Sequence, residues 1–234
     1  MNRLASVMGV LALVAMSPMA RADFEISVNG TQCAFVASAL PTGGAICSNV
    51  TPATGVSIST LALSGEQTAG FSQEFGTTLL IANNSNTTQT ITIDLGDTNF
   101  TTPTTPPGIM DASGLTVNPT QGIGSVALVS CVDQSNSLSP ASCSPAPGEA
   151  GPNPALNFSG PGTLSNTTFG AITSLSADFS LTQMITLTLN AGANLNVTSS
   201  QVLTPAPEPA AIMLLGSAVM GLGLALRRKQ SKRG

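Results

Sequence analysis

Wherever the hydrophobic pattern along this chain is clear, its period is two. Ile91, Ile93 and Leu95 alternate with Thr90, Thr92 and Asp94; Ile185, Leu187 and Leu189 alternate with Thr186, Thr188 and Asn190; Leu195 and Val197 alternate with Asn194, Asn196 and Thr198. Alternation of this kind marks strands with one buried and one wet face, and β-branched Thr suits the wet face of a pleated surface. Further strands are predicted over residues 24–28, 56–63, 77–82, 115–117, 125–132 and 175–181. Clusters of Gly, Asn, Pro and Ser separate them, and no segment of the body carries a helical period. The fold class is therefore all-β, and short strands with frequent turn signals predict a β-sandwich rather than a layered α/β sheet.

Two hairpins are predicted from this pattern. Residues 79–82 and 90–95 flank a loop from Asn83 to Thr88, and residues 185–189 and 195–198 flank a loop around Gly192, with Gly and Asn tolerating the left-handed conformations such loops need. The Pro-, Ser- and Gly-dense stretches 101–108 and 138–162 read as long loops. Cys33, Cys47, Cys131 and Cys143 are disulfide candidates. Sequence leaves three connectivities open, among them local pairing of Cys33 with Cys47 and Cys131 with Cys143. A zinc site is the competing reading, but the spacings are not short Cys-x-x-Cys pairs and the chain has no His.

The two ends differ from the body. A cationic start at Arg3, an apolar run over residues 4–16 and the small-x-small pattern Ala20-Arg21-Ala22 read as a secretory signal peptide, residues 1–22, cleaved after Ala22. Its apolar run is too short to cross a hydrocarbon core of about 30 Å. At the other end an uncharged segment, residues 210–226, follows Pro205, Pro207 and Pro209 and precedes Arg227, Arg228 and Lys229. As a helix it would span about 26 Å at 1.5 Å per residue, at the short end of what crosses a bilayer, with the basic tail on the cytoplasmic side. The prolines hold an extended, protease-accessible segment just outside that helix. One β-sandwich domain, residues 23–204, lies between.

The ordered set of Pro207-Glu208-Pro209, an apolar Gly- and Leu-rich segment and a terminal Arg-Arg-Lys cluster resembles the PEP-CTERM sorting signal of Gram-negative bacteria, here residues 205–234. The resemblance implies recognition by exosortase, a membrane-embedded protease or transpeptidase, at Pro207, Glu208 and Pro209, followed by removal of the helix. The runs TQTITIDLGDTNF (88–100) and SLTQMITLTLNAGANLNV (180–197) are similar to the Thr-rich β-sandwich ectodomains upstream of such signals, which implies an immunoglobulin-like sandwich.

Charge narrows the function classes. Between Ala22 and Leu226 there is no Lys, Arg or His, while residues 23–206 hold ten Asp and Glu. Nucleic acid is excluded as a partner, since phosphate binding needs clustered cations. Ser-His-Asp and Cys-His hydrolases cannot be assembled. Paired carboxylates, Glu66 with Glu74 or Asp94 with Asp97, are the remaining acid/base route, but the chain has neither Trp nor Tyr to stack on sugar rings. Asp94-Leu95-Gly96-Asp97-Thr98-Asn99 resembles part of a calcium loop, yet lacks the closing bidentate Glu and reads as a solvated turn at a strand end. The negative body fits loose binding of divalent cations without a defined site. Eight Asn-x-Ser/Thr triplets, at Asn29, Asn49, Asn83, Asn86, Asn99, Asn157, Asn166 and Asn196, make surface glycosylation a hypothesis.

The expectation is an exported, non-enzymatic protein without cofactor. Its partners would be exosortase during sorting, the membrane through its C-terminal helix before processing, and exopolysaccharide afterwards. It would be tethered to the inner membrane with a periplasmic body, then delivered to the cell surface or biofilm matrix. The alternative is a permanently membrane-anchored periplasmic binding module or adhesin that keeps residues 210–226.

Overall fold

The computed structural model describes residues 21–206 and Ser217, apart from residues 40, 41, 69, 106, 107, 120, 123, 144–154 and 158–160. The apolar run 4–16, Ala20, and the sorting residues Pro207, Glu208, Pro209, Arg227, Arg228 and Lys229 lie outside the described residues. Among the described residues no helix is long and apolar enough to cross a membrane.

The period-two segments form strands, as their alternation requires. In chain order they are β1 (Arg21–Val28), β2 (Thr31–Ala39), β3 (Thr42–Ala53), β4 (Val56–Thr68), β5 (Phe71–Asn83), β6 (Gln89–Phe100), β7 (Ile109–Pro119), β8 (Ser125–Asp133), β9 (Ala155–Asn157), β10 (Leu164–Ile172), β11 (Phe179–Leu189) and β12 (Asn194–Pro205). They build two six-stranded sheets, β2-β1-β6-β11-β8-β9 and β10-β7-β12-β5-β4-β3, and every pairing is antiparallel. The sheets pack face to face, because Phe24, Ile26 and Ile93 of the first share one buried cluster with Ile58, Leu61 and Val197 of the second. The strand count exceeds the seven to nine of an immunoglobulin domain, so what stands is the coarser description, an all-β sandwich.

Both predicted hairpins are corrected by the topology. β5 lies in the second sheet and β6 in the first; β11 lies in the first and β12 in the second. Each loop carries the chain across the core instead of turning it back beside itself. The alternation of one strand fixes which side chains are buried, and two strands facing each other across a core bury the same parity as two strands side by side. Asn83, fully buried, ties the two crossovers together. Its Nδ2 donates to the carbonyls of Thr87, Leu189 and Asn190 at 2.8, 3.0 and 3.1 Å. Its Oδ1 accepts from the backbone and hydroxyl of Ser85.

Strands β2, β3, β9 and β10 carry no clear period two and are the outermost strands of the sheets. An edge strand buries little, so no strong alternation is imposed on it. Cys33 of β2 pairs with Cys47 of β3, Cα atoms 5.9 Å apart, closing the open side of the sandwich between the sheet edges. Cys131 of β8 pairs with Cys143, Cα atoms 6.4 Å apart, just after a 3₁₀ turn at Pro140–Ser142. The disulfide reading thus holds, with local connectivity. The second bridge fastens the segment after β8 over the outer face of the first sheet, where the Leu138 carbonyl presses on Gly96 and Ser180 Oγ donates to the Ser137 carbonyl at 2.5 Å.

Candidate functional site

The outer faces of the two sheets differ in chemistry. The first presents Asp23, Glu25 and Asp94 and is partly covered by the Cys143 segment. The second is open, and its cross-strand register lines up hydroxyls. Ala62, Thr77, Thr198, Thr116 and Ser165 form one row across β4, β5, β12, β7 and β10; Ser64, Phe75, Ser200, Gly114 and Thr167 form the next. Among the described residues, Glu66 is the sole charged side chain on this face, and Gln73 Nε2 donates to its Oε2 at 2.8 Å. Phe75 (36%) and Phe169 (67%) stand exposed there.

At one margin of this face Asn49, Val50, Thr51, Ser57, Ile58, Ser59 and Leu80 line a cleft of ≈ 300 Å³, the lower end of small-ligand pockets. Its walls are two strand irregularities. Asn49 and Leu80 both hold positive φ, 56° and 51°, and for a residue as bulky as Leu that is an outlier. The Leu80 N–H is held by Asn196 Oδ1 at 2.5 Å. Backbone held in such regions concentrates at functional sites.

The interior carries a second unusual feature. A belt of polar side chains crosses the core between two hydrophobic clusters, one containing Ile93, Ile185 and Val197, the other Phe100, Phe179 and Leu203. The rings of Phe100 and Phe179 stack at 5.7 Å. The belt comprises Ser72, Glu74, Asp97, Asp111, Ser113, Ser130, Gln183, Ser199 and Gln201, all buried. Ser113 Oγ of the second sheet meets Ser130 Oγ of the first at 2.6 Å. Gln201 Nε2 donates to Asp111 Oδ2 at 3.3 Å.

Burial raises the carboxyls of this belt. Glu74 is pushed well above the usual range by desolvation, with the Asp97 charge adding and the Gln183 amide partly offsetting. Asp97 is pushed up to about 8 by burial, against a lowering backbone hydrogen bond at Thr98 and with Asp23 adding. Asp111 rises to about 7 through burial, offset in part by Gln201. Asp94, half-buried on the other face of β6, is raised by burial and lowered by Ser27, whose hydroxyl donates to Asp94 Oδ2 at 3.1 Å.

These positions separate the two carboxylate pairs that the sequence left as the remaining acid/base route. Glu66 and Glu74 point to opposite faces of the second sheet, and Asp94 and Asp97 to opposite faces of the first, by the parity of β5 and β6 and by their partners. The structure instead brings Glu74 to Asp97, where no sugar can reach. Residues 94–99 are not a solvated turn: they lie within β6. Gln183, Gln201, Ser113 and Ser130 were not foreseen. A signal was present, since Gln183 occupies a buried parity position between Leu181 and Ile185. Of the Asn-x-Ser/Thr triplets, Asn83 is buried, whereas Asn49, Asn86, Asn157 and Asn166 are exposed.

No family model matches the chain, and no curated protein matches it. Solved structures similar to it include a carbohydrate-binding module in complex with β-1,4-galactotriose, at 8% identity over 60% of this chain and 85% of that one with a TM-score of 0.31. A second is a carbohydrate-binding module specific for non-crystalline cellulose, at 11% identity, 58% and 76% coverage and a TM-score of 0.30. A third comes from work on promiscuous carbohydrate-binding modules of the β-sandwich superfamily, at 7% identity, 76% and 83% coverage and a TM-score of 0.27. Likenesses at this level carry no inference about what this chain binds.

Proposed function

We propose that this chain is an exported, non-enzymatic protein of the cell surface or extracellular matrix, sorted by exosortase at Pro207-Glu208-Pro209, which holds a neutral, hydroxyl-rich polysaccharide against the open face of its second sheet. The observation that carries the binding part is the pair of cross-strand rows from Ala62 to Ser165 and from Ser64 to Thr167. Each Ser or Thr hydroxyl both donates and accepts, which matches the hydroxyls of a sugar. Phe75 and Phe169 offer apolar contact to the C–H faces of sugar rings. Among the described residues Glu66 is a lone carboxylate on that face, whereas glycoside hydrolysis uses a pair of acids.

Sorting rests on the tripartite C-terminus, whose Pro-Glu-Pro segment, apolar run and basic cluster follow one another in the required order. The two parts are tested separately. Intact mass and C-terminal mapping of protein recovered from its own cells and their matrix should place the end near Pro207-Glu208-Pro209. A mature chain that retains residues 210–234 would replace sorting with permanent anchoring. Retarded migration in native gels containing the matrix polysaccharide tests the binding, and unaltered migration would overturn it.

A further inference from the structure

Three side chains meet inside the sandwich with more acceptors than donors. Glu74 comes from β5, Asp97 from β6 and Gln183 from β11, so both sheets contribute. Gly65 is the cross-strand partner of Glu74, and Asp97 Oδ2 occupies the place where a side chain on Gly65 would begin. The Asp97 carboxyl therefore lies beside Glu74, since cross-strand neighbours stand about 5 Å apart. Gln183 Nε2 donates to the Glu74 backbone carbonyl at 3.3 Å, bringing its amide to the same point. None of the three is more than 1% exposed. Glu74 Oε1 and Oε2, Asp97 Oδ1 and Gln183 Oε1 accept no hydrogen bond of good geometry, the Gln183 amide approaching the Glu74 carboxyl only loosely.

Buried polar groups in folded proteins are nearly always paired, and a cluster of unpaired acceptors marks a water or an ion. No Lys, Arg or His occurs between Ala22 and Leu226 to supply the positive charge. A single proton shared by the two carboxyls would pair them with each other and leave the Gln183 carbonyl facing oxygens, and satisfying all three side chains without a cation takes a proton on each carboxyl, which a bound cation would displace. A divalent cation answers all three side chains and balances the charge of two carboxylates. The donor set is oxygen alone, which suits calcium and disfavours zinc or copper. Among the described residues no three His, Cys, Asp or Glu side chains converge on a metal-sized site, so the third protein oxygen is the neutral amide.

We propose that Glu74, Asp97 and Gln183 form an intersheet site for a hard divalent cation of the calcium class, with water completing the shell. The cation would clamp β5 to β6 and β11 and would be taken up as the sheets close.

The test is metal analysis and thermal melting of the full chain, refolded with calcium or with EDTA and followed by circular dichroism. The expected result is stoichiometric calcium surviving gel filtration, and a melting temperature that climbs with the logarithm of free calcium. Glu74→Gln and Asp97→Asn should each abolish both effects, whereas Asp111→Asn should retain them. Wild-type protein without retained calcium, with the same melt in calcium and EDTA, would overturn the site. So would calcium retained undiminished by Glu74→Gln and Asp97→Asn, which would assign it to surface acids. If neither variant folds, the wild-type pair of measurements decides alone.

Discussion

Asp97 and Gly65 share one place in the core: the Asp97 carboxylate, reaching from the first sheet, fills the space a β-carbon on Gly65 would need, with the Phe24 ring against it. This glycine is required by close approach of the opposite sheet. Gly65→Ala should therefore force Asp97 and Phe24 apart and destabilise the fold by about 1–3 kcal/mol, the usual cost of overpacking. Urea unfolding followed by circular dichroism checks this; an unchanged midpoint would mean that Asp97 does not cross the core.

Asn83→Ala should be among the most damaging polar substitutions. It strips a hydrogen bond from the buried Leu189 carbonyl, and leaving a buried group short of its partner costs about 1–3 kcal/mol, while the exposed Thr87 and Asn190 carbonyls lose one donor each and keep Ser85 Oγ and the Ala193 N–H. Asn83→Asp should not rescue, because a carboxylate has no N–H to give to Leu189 and Asn190. The same unfolding midpoint reports both.

Replacing Cys33 and Cys47 by Ser should cost about 3 kcal/mol, as expected for a short closed loop of this length. The sequence separation is 14. Because this bridge closes the sheet edges, limited proteolysis with a Glu- or Asp-directed enzyme should then cut first near β2, at Glu25 or Asp23. Trypsin would be uninformative, since residues 22–226 lack Lys and Arg.

The buried carboxyls give stability a definite pH slope. Asp97, raised to about 8, and Asp111, raised to about 7, hold protons in the folded chain at pH values where the unfolded chain, titrating near 3.9, has lost them. Stability in EDTA should therefore fall as pH rises from about 4 towards 8 and then level, by up to about 1.4 kcal/mol per pH unit for each group. The groups facing Asp97, Glu74 from β5 and Asp23 from β1, are acids and oppose nothing. Asp111→Asn should remove part of the slope below about pH 7, and saturating calcium should flatten the share due to Glu74 and Asp97. A midpoint that rises over this range would show these carboxylates stabilised in their charged form.

Thr198 and Thr116 are exposed neighbours on the open face of the second sheet. Thr198→Glu with Thr116→Glu should abolish retardation by the matrix polysaccharide at a stability cost of about 1 kcal/mol, since the two carboxylates stand directly opposite each other across the strand pair. Equal substitutions on the first sheet, at Thr186 and Thr188, should leave retardation intact.

The strands of the interior were legible because a half-buried strand writes its two faces into alternate residues, as in Ile91-Thr92-Ile93 and Leu187-Thr188-Leu189. The edges were not. β2 and β10 bury too little to constrain their residues, and Phe169 stands 67% exposed within a strand that sequence did not predict. The carboxylates were visible as candidates, but their partners were misassigned, since proximity along the chain places Glu66 and Glu74, or Asp94 and Asp97, on opposite faces.

By itself, the sequence determined the all-β class, a body without Lys, Arg or His, and the parity of most buried positions. These depend on composition and on the two-residue repeat, which are local. Tertiary structure alone decided that β5 and β6, and β11 and β12, cross between sheets, that the cysteines pair locally, and that Glu74 meets Asp97. The physical reason is that alternation says which side of a strand faces the core and nothing about which sheet lies opposite, so contacts across the core exist only once the two sheets are packed.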